Sequence, residues 1–206
     1  YSPALPQLEL IRSCMKEGDI LLDGISVVKD PIVCKRSMAY VPDTPRLEEY
    51  MTGMQYLNFV CDIYQVPSKE RQQNIERLIH AFQMEPHISG LISSYSHGMK
   101  QKVALIAAFS HNPKLLVLDE PFVGLDPEAF IALKEQMKML CRKGSSVLFS
   151  SHILDVVEKL CNKISIIKDG RLLYSGTTEE LIGVEGLEEA FMELNSNESF
   201  DPSIEK

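Results

Sequence analysis

Two acidic residues follow a short apolar run in the middle of the chain. The stretch KLLVLDE, residues 114–120, has the pattern of a buried strand that ends in Asp119 and Glu120. Ligands of open α/β sheets bind beyond the carboxyl ends of the strands, and two adjacent carboxylates would be costly to bury there without a partner. The pair therefore predicts a cation or a reacting water at this edge, although a solvated strand end would account for the same residues.

A histidine follows the next strand along the chain. The stretch SSVLFSSH, residues 145–152, ends in His152, which reaches the same sheet edge if the two strands are parallel. A structural or surface role would equally explain a lone histidine at this place. Between the strands, Gly124 allows a tight turn, and Asp126 before Pro127 is a good N-cap for a following helix.

A third element suited to chemistry lies upstream, where Ser96 and Gly98 open the apolar helix SHGMKQKVALIAAF. The N-terminus of a helix presents unpaired N–H groups and a partial positive charge, which suit an anion such as a phosphate. Gly98 would let that anion approach the backbone closely. An ordinary serine-capped core helix is the alternative interpretation.

Strands and helices alternate around these residues. We expect a short strand at 19–24 that is closed by a tight turn at Asp23-Gly24, and further strands at 37–41, 114–120 and 145–151. A hairpin is expected over 163–176 with its turn at Asp169-Gly170, and helices are expected at about 96–110, 127–141 and 153–160. Near-continuous apolar strands that alternate with helices indicate a parallel sheet covered on both faces. The fold class predicted from this pattern is α/β.

A purely helical block interrupts the α/β pattern at about residues 45–95. Thr52 and Gln55 form a capping-box sequence at the start of one helix. A second helix begins at Ser68, and its apolar residues form one stripe: Ile75, Leu78, Ile79 and Phe82. The block is expected to be a helical insertion carried on the α/β core.

Composition limits the possible partners. The 206 residues are 45% hydrophobic and 24% charged, with a formal net charge of −8. An acidic chain without a basic cluster argues against nucleic-acid binding. The five cysteines show no metal-binding spacing, which favours reduced thiols in a cytosolic protein. Apolar stretches such as VALIAAF are too short to cross a bilayer, so a membrane role would need another chain.

In this order and spacing, the motifs resemble those of the ATP-binding subunit of an ABC transporter, over about residues 17–190. YSHGMKQK resembles the family signature in its Ser-x-Gly-Met-x-Gln variant, with His97 and Met99 in place of the usual Gly and Gln. LLVLDEP resembles the Walker B strand, GLD the D-loop and SSH the switch histidine. YVPDTPRL takes the place of the Q-loop, with Asp43 where glutamine is usual.

The resemblance implies a role in ATP hydrolysis for the residues at the strand ends. Glu120 would be the general base that polarises the attacking water. Asp119 would hold Mg²⁺, and Asp43 would offer it another oxygen. His152 would contact the γ-phosphate of ATP.

The resemblance also implies nucleotide-binding roles for Ser96, Gly98, Met99 and Asp126, with Ser96 and Gly98 facing the ATP of a second subunit. ATP and Mg²⁺ are therefore the implied cofactors. The implied partners are an integral-membrane transporter subunit, contacted by the helical block, and another ATP-binding subunit in a homo- or heterodimer. The location would be cytoplasmic, peripheral on the inner face of the membrane, and the signature variant favours export.

The family pattern divides the chain into four parts. They are a remnant of the N-terminal part of the ATP-binding core (1–44), a helical subdomain (45–95), a RecA-like core (96–185), and a C-terminal helix with a polar tail (186–206). The phosphate-binding loop G-x-x-x-x-G-K-S/T does not occur in the sequence. We expect it upstream, with LELIRSCMK at 8–16 as a remnant of the helix that follows it, and the alternative is a subunit that lacks the loop.

The sequence is also compatible with two other functions. A subunit without a phosphate-binding loop would be a catalytically incompetent or regulatory dimerisation module, although Glu120 and His152 would then have no chemical task. A family relative that acts on ribosomes or DNA would usually carry tandem cassettes, long coiled coils or basic surfaces, which this sequence does not show.

Overall fold

The computed structural model describes residues 18–182 and 186–196 and divides the chain into two compact units, Tyr1–Ser150 and Ser151–Lys206. The helix expected at 8–16 and the polar tail from residue 197 onward lie outside the described residues. Within the described ranges, every helix is too short or too polar to cross a bilayer.

The first unit opens with a small antiparallel hairpin of β1 (Leu21–Leu22) and β2 (Ile25–Ser26). Asp23 and Gly24 form its turn with φ values of 54° and 78°, which Asp tolerates and Gly adopts without strain. The tight turn predicted there is confirmed. Helix α1 (Pro31–Arg36) follows and was not predicted, because six residues are too few to show a helical period.

A parallel sheet forms the centre of the unit. Its described strands are β3 (Met38–Val41), β4 (Leu115–Leu118) and β5 (Ser146–Phe149), in the order β3-β4-β5. Val41 pairs with Leu118, and Leu118 pairs with Phe149, so the three strands end level with one another. The predicted α/β fold with a parallel sheet is confirmed, and its carboxyl ends meet at one edge.

One face of this sheet is buried more completely than the other. Helix α4 (His97–Ser110) packs on β3, and α5 (Pro127–Arg142) packs on β5. The apolar residues facing these helices are buried: Ala39, Val41, Leu116 and Leu118. On the opposite face Met38 packs against the cluster of Val27 and Cys34, whereas Leu148 is 62% exposed. Full cover of both faces, as the apolar strands predicted, is therefore not found at Leu148 in the described part of the chain.

The predicted helical block contains α2 (Gly53–Ile63), α3 (Ser68–Ala81) and a short 3₁₀ turn at Ile92–Ser94. The capping box is confirmed: the Gln55 amide donates to Thr52 Oγ1 at 3.2 Å, and the Thr52 amide donates to Gln55 Oε1 at 2.9 Å. The predicted stripe of α3 is buried at Ile75, Leu78, Ile79 and Phe82. Helices α2 and α3 both pack on α4. The four-part division of the chain stays a prediction.

The second unit contains α6 (Leu154–Leu160) and an antiparallel hairpin of β6 (Lys163–Lys168) and β7 (Arg171–Thr177). Its turn is at Asp169-Gly170, with φ values of 49° and 75°, as predicted. Helices α7 (Thr178–Ile182) and α8 (Leu187–Ser196) follow. The Leu187 amide donates to Glu158 Oε2 at 3.1 Å, which ties α8 to α6.

Candidate functional site

The carboxyl edge of the parallel sheet is built by backbone hydrogen bonds that continue the ladder past the strand ends. The Asp119 amide donates to the Val41 carbonyl at 2.9 Å, and the Ser150 amide donates to the Leu118 carbonyl at 3.0 Å. Asp119 and Ser150 are therefore held by the sheet itself, and their side chains start from a rigid backbone.

The hydroxyl of Ser150 connects the two acidic residues. Ser150 Oγ donates to Asp119 Oδ1 at 2.6 Å, and it accepts a hydrogen bond from the Glu120 amide at 2.9 Å. Glu120 has a φ of 42°, in the left-handed region that non-glycine residues seldom adopt. Sequence reasoning missed Ser150, although it stands in the SSH motif directly after the strand.

Asp43 and Asp119 line the same cavity, which has a volume of about 680 Å³. Asp43 lies just beyond the end of β3, and Asp119 lies just beyond the end of β4. Burial, and then the negative charge of Asp119, raise the pKa of Tyr40 on the cavity wall. The structure thus brings together the two carboxylates predicted to hold a metal.

The far wall of the cavity belongs to the helical block and to the end of α4. Tyr56 and Val60 of α2 line it together with His111. The rings of Tyr64 and His111 stack with centroids 3.7 Å apart and planes 13° apart. Because burial lowers the pKa of His111 to about 4, the imidazole is neutral at pH 7 and adds no charge to the cavity.

The signature residues lie at the start of α4. Ser96 is the N-cap and accepts a hydrogen bond from the Met99 amide at 3.2 Å. This cap uses Ser96 Oγ as an acceptor and leaves its proton to be donated. Gly98 packs directly on the turn after β4, since a Cβ at Gly98 would lie 2.8 Å from the Gly124 carbonyl oxygen. The structure therefore joins the signature to the D-loop.

Asp126 links the same two elements electrostatically. Its carboxylate caps α5 by accepting from the Ala129 amide at 2.9 Å, and it lies 2.5 Å from Lys102 Nζ on α4. The hydrogen bond from Lys102, and then that from the Ala129 amide, lower the pKa of Asp126. The predicted N-cap role is confirmed, whereas a contact between Asp126 and a nucleotide stays a prediction.

His152 lies at the beginning of the second unit, shortly after the end of β5 and just before α6. Its approach to the edge that carries Asp119 and Glu120 stays a prediction.

Two carboxylates at this edge of the sheet are available to a divalent cation, Asp43 and Asp119. Within residues 18–182 and 186–196, no group of three or more His, Cys, Asp or Glu side chains is placed to hold a metal ion. Mg²⁺ is usually bound by one or two carboxylates, with water and substrate phosphates completing its six ligands. Two carboxylates on one cavity, Asp43 and Asp119, match that donor set.

Comparison with known proteins gives the class of this chain. The sequence model of the family described as ABC transporter matches residues 8–123. The ABC-type transporter ATP-binding protein EcsA of Bacillus subtilis is 35% identical over 177 residues, which cover 86% of this chain and 72% of EcsA. The ABC transporter ATP-binding protein NatA of B. subtilis is 32% identical over 177 residues, which cover 84% of this chain and 72% of NatA.

A solved structure agrees with these relatives. It is the structure of an ATP binding subunit of an ABC transporter, and it is 34% identical to this chain with a TM-score of 0.84. The match covers 87% of this chain and 77% of that one. The chain therefore belongs to the ABC transporter family, as an ATP-binding subunit with the family's ATPase fold. This confirms the family, the fold class and the general function predicted from the motifs.

Proposed function

We propose that the carboxyl edge of β3, β4 and β5 is the site where this subunit hydrolyses Mg-ATP, in a complex with an integral-membrane transporter subunit. The observation that carries the proposal is the bridge from Ser150 to both Asp119 and Glu120, with distances of 2.6 Å and 2.9 Å. It fixes Glu120 next to Asp119, and Asp119 lines the same cavity as Asp43.

The two acids take different tasks in this proposal. Glu120 accepts the proton of the attacking water, and general-base catalysis of this kind contributes about 10²–10⁴-fold to the rate. Asp119 and Asp43 hold Mg²⁺, which when bound neutralises charge on the phosphates. His152 donates a hydrogen bond to the γ-phosphate and helps to fix the water.

The start of α4 serves a second nucleotide. Ser96 presents a hydroxyl and Gly98 a backbone N–H group at the positive end of a helix, while the Met99 N–H is engaged by Ser96 Oγ. Such a group binds the phosphates of ATP held by another ATP-binding subunit, so ATP joins the two subunits. The close contact between Gly98 and the turn at Gly124 favours this arrangement, because the turn packs against the signature residues and fixes their position. Asp126 holds the same turn on α4.

The membrane subunit docks over the cavity between the strand edge and the helical block. Residues 42–48, which include Asp43, Arg46 and Glu48, form one wall of this cavity, and α2 forms another. Because Asp43 belongs both to this wall and to the metal site, movement of the docked partner changes the site directly. The subunit accordingly works at the inner face of the membrane.

The test measures ATP hydrolysis by the intact subunit, purified from its source together with its membrane partner. Glu120→Gln is expected to lower kcat by about 10²-fold or more while ATP binding is retained. Glu128→Gln is the matched control, because Glu128 is an exposed acid in the first turn of α5. Unchanged turnover in Glu120→Gln would refute the base assignment. Absence of ATP binding in the wild type would favour a regulatory dimerisation subunit instead.

A further inference from the structure

Ser150 is placed to control the geometry of both acids at the strand edge. We infer that Ser150 is a positioning residue for hydrolysis: its single hydroxyl orients the Asp119 carboxylate and holds the Glu120 backbone at the same time. This inference rests on the proposed function, because it assumes that Asp119 and Glu120 act on Mg-ATP.

Both hydrogen-bonding capacities of the hydroxyl are in use. The proton goes to Asp119 Oδ1 at 2.6 Å, and a lone pair accepts the Glu120 N–H at 2.9 Å. A hydroxyl is the smallest side-chain group that donates and accepts at once. A bond to a carboxylate is also shorter and stronger than one between neutral groups. Alanine at this position would break both contacts together.

The hydroxyl itself is held by the sheet. The Ser150 amide donates to the Leu118 carbonyl at 3.0 Å, which extends the pairing of Leu118 with Phe149 by one step. The Cα of Ser150 therefore has little freedom, and its Oγ is a fixed reference point. A serine on a mobile loop would not provide such a reference.

The bridge restricts Asp119 in a way that matters for a metal. With Oδ1 engaged by Ser150, the carboxylate keeps one orientation and Oδ2 remains as the oxygen for a cation. Asp119 already lines the cavity shared with Asp43. Without the bridge, the Asp119 carboxylate would rotate freely, and the geometry that Mg²⁺ demands would be lost part of the time.

The bridge also supports an unfavourable backbone conformation at Glu120. A φ of 42° is sparsely populated by residues with a Cβ and persists where surrounding contacts hold it. The Ser150 hydroxyl holds the N–H of Glu120, and the Val123 amide donates to the Glu120 carbonyl at 3.2 Å. The direction in which the base leaves the backbone thus depends on Ser150.

The experiment compares Ser150→Ala, Ser150→Thr and Ser150→Cys in the intact subunit purified with its membrane partner. Ser146→Ala is the control, because it makes the same chemical change at the exposed serine that opens β5, the strand that Ser150 directly follows. Ser150→Ala is expected to lower kcat on the order of tenfold to a hundredfold, as misplaced catalytic groups do. The Ser150→Ala variant is also expected to need a higher Mg²⁺ concentration for half of its maximal rate, while its KM for ATP at saturating Mg²⁺ changes little.

The conservative variants separate positioning from a purely structural role. Ser150→Thr keeps the hydroxyl and is expected to restore most of kcat and the Mg²⁺ dependence, whereas Ser150→Cys, a weaker donor, lies between Thr and Ala. A wild-type Mg²⁺ dependence in Ser150→Ala would overturn the inference, as would equal losses in the Thr and Ala variants. If Ser150→Ala does not fold, full activity in Ser150→Cys overturns it instead.

Failure of this inference differs from failure of the proposed function. If Glu120→Gln is inactive and Ser150→Ala behaves as wild type, only the role of Ser150 is wrong. If Glu120→Gln retains turnover, the proposed site is wrong, whatever Ser150 does.

Discussion

Asp126 joins the turn after β4 to two helices, and substitutions there are predicted to separate two contributions to stability. Its carboxylate caps α5 through the Ala129 amide and pairs with Lys102 on α4. Asp126→Ala removes the cap and the charge together. Asp126→Asn keeps an oxygen that can cap the helix and removes only the charge.

The two losses have different sizes. Replacing an aspartate N-cap by alanine costs about 1 kcal/mol, within a range of roughly 0.5–2 kcal/mol. The ion pair is partly exposed to solvent: the Lys102 side chain is 11% exposed, and the Asp126 side chain is 45% exposed. A pair of this kind contributes at most about 1 kcal/mol. At pH 7, Asp126→Ala is therefore expected to lose about 2 kcal/mol of unfolding free energy, and Asp126→Asn less than about 1 kcal/mol.

The loss in Asp126→Asn is also expected to depend on pH. The pKa of Asp126 is lowered in the folded state by Lys102 and by the Ala129 amide, whereas an unfolded aspartate has a pKa of about 3.9. A lowered folded pKa gives stability that is present above the unfolded pKa and is lost as the pH falls through the folded pKa. The free-energy gap between wild type and Asp126→Asn is therefore full at pH 7 and shrinks below about pH 3.9.

Urea unfolding of the three proteins, at pH 7 and at steps down into the acid range, measures these differences. Glu135→Gln is the control, since Glu135 is an exposed acid in the same helix that pairs only loosely with Lys138, at 3.5 Å. Its unfolding free energy is expected to change by less than about 0.5 kcal/mol. Equal losses of unfolding free energy in Asp126→Ala and Asp126→Asn would refute the contribution of the cap. A difference in unfolding free energy between wild type and Asp126→Asn that persists in acid would refute the contribution of the ion pair.

Two further substitutions test the signature turn and the helical block. Gly98→Ala places a Cβ 2.8 Å from the Gly124 carbonyl oxygen, so the D-loop turn must move. We expect the dissociation constant of the ATP-dependent dimer, measured by size-exclusion chromatography, to rise at least about tenfold, as when a binding group is displaced. An unchanged dissociation constant would show that the contact between Gly98 and Gly124 does not matter for dimerisation. Thr52→Ala breaks the capping box with Gln55 and is expected to cost about 1 kcal/mol in urea unfolding; a change within error would show that tertiary packing alone sets the start of α2.

The features that the sequence predicted correctly follow from short-range chemistry. Asp23-Gly24 and Asp169-Gly170 turn where expected because both dipeptides tolerate positive φ. Thr52 caps its helix because its Oγ1 accepts a hydrogen bond from the amide of Gln55, three residues further along the chain. Such signals lie within one turn of the chain, so they can be read before the fold is known.

The features that escaped prediction depend on register or on contacts distant in sequence. Ser150 bridges Asp119 and Glu120 only because β4 and β5 pair with their ends level. The contact between Gly98 and Gly124 joins residues separated by a whole strand. In both cases the residue types were visible, but the pattern contained no information about the distance between their atoms.

The central claim is that Glu120 and Asp119 at the sheet edge hydrolyse ATP between paired subunits. The most direct measurement uses intact Glu120→Gln subunit incubated with Mg-ATP, and counts the nucleotide that stays bound through gel filtration together with the mass of the species. We predict about one unhydrolysed ATP per subunit in a stable dimer, because binding would proceed while the step that releases the dimer is blocked. A monomer without ATP, or a dimer that contains ADP, would contradict this account.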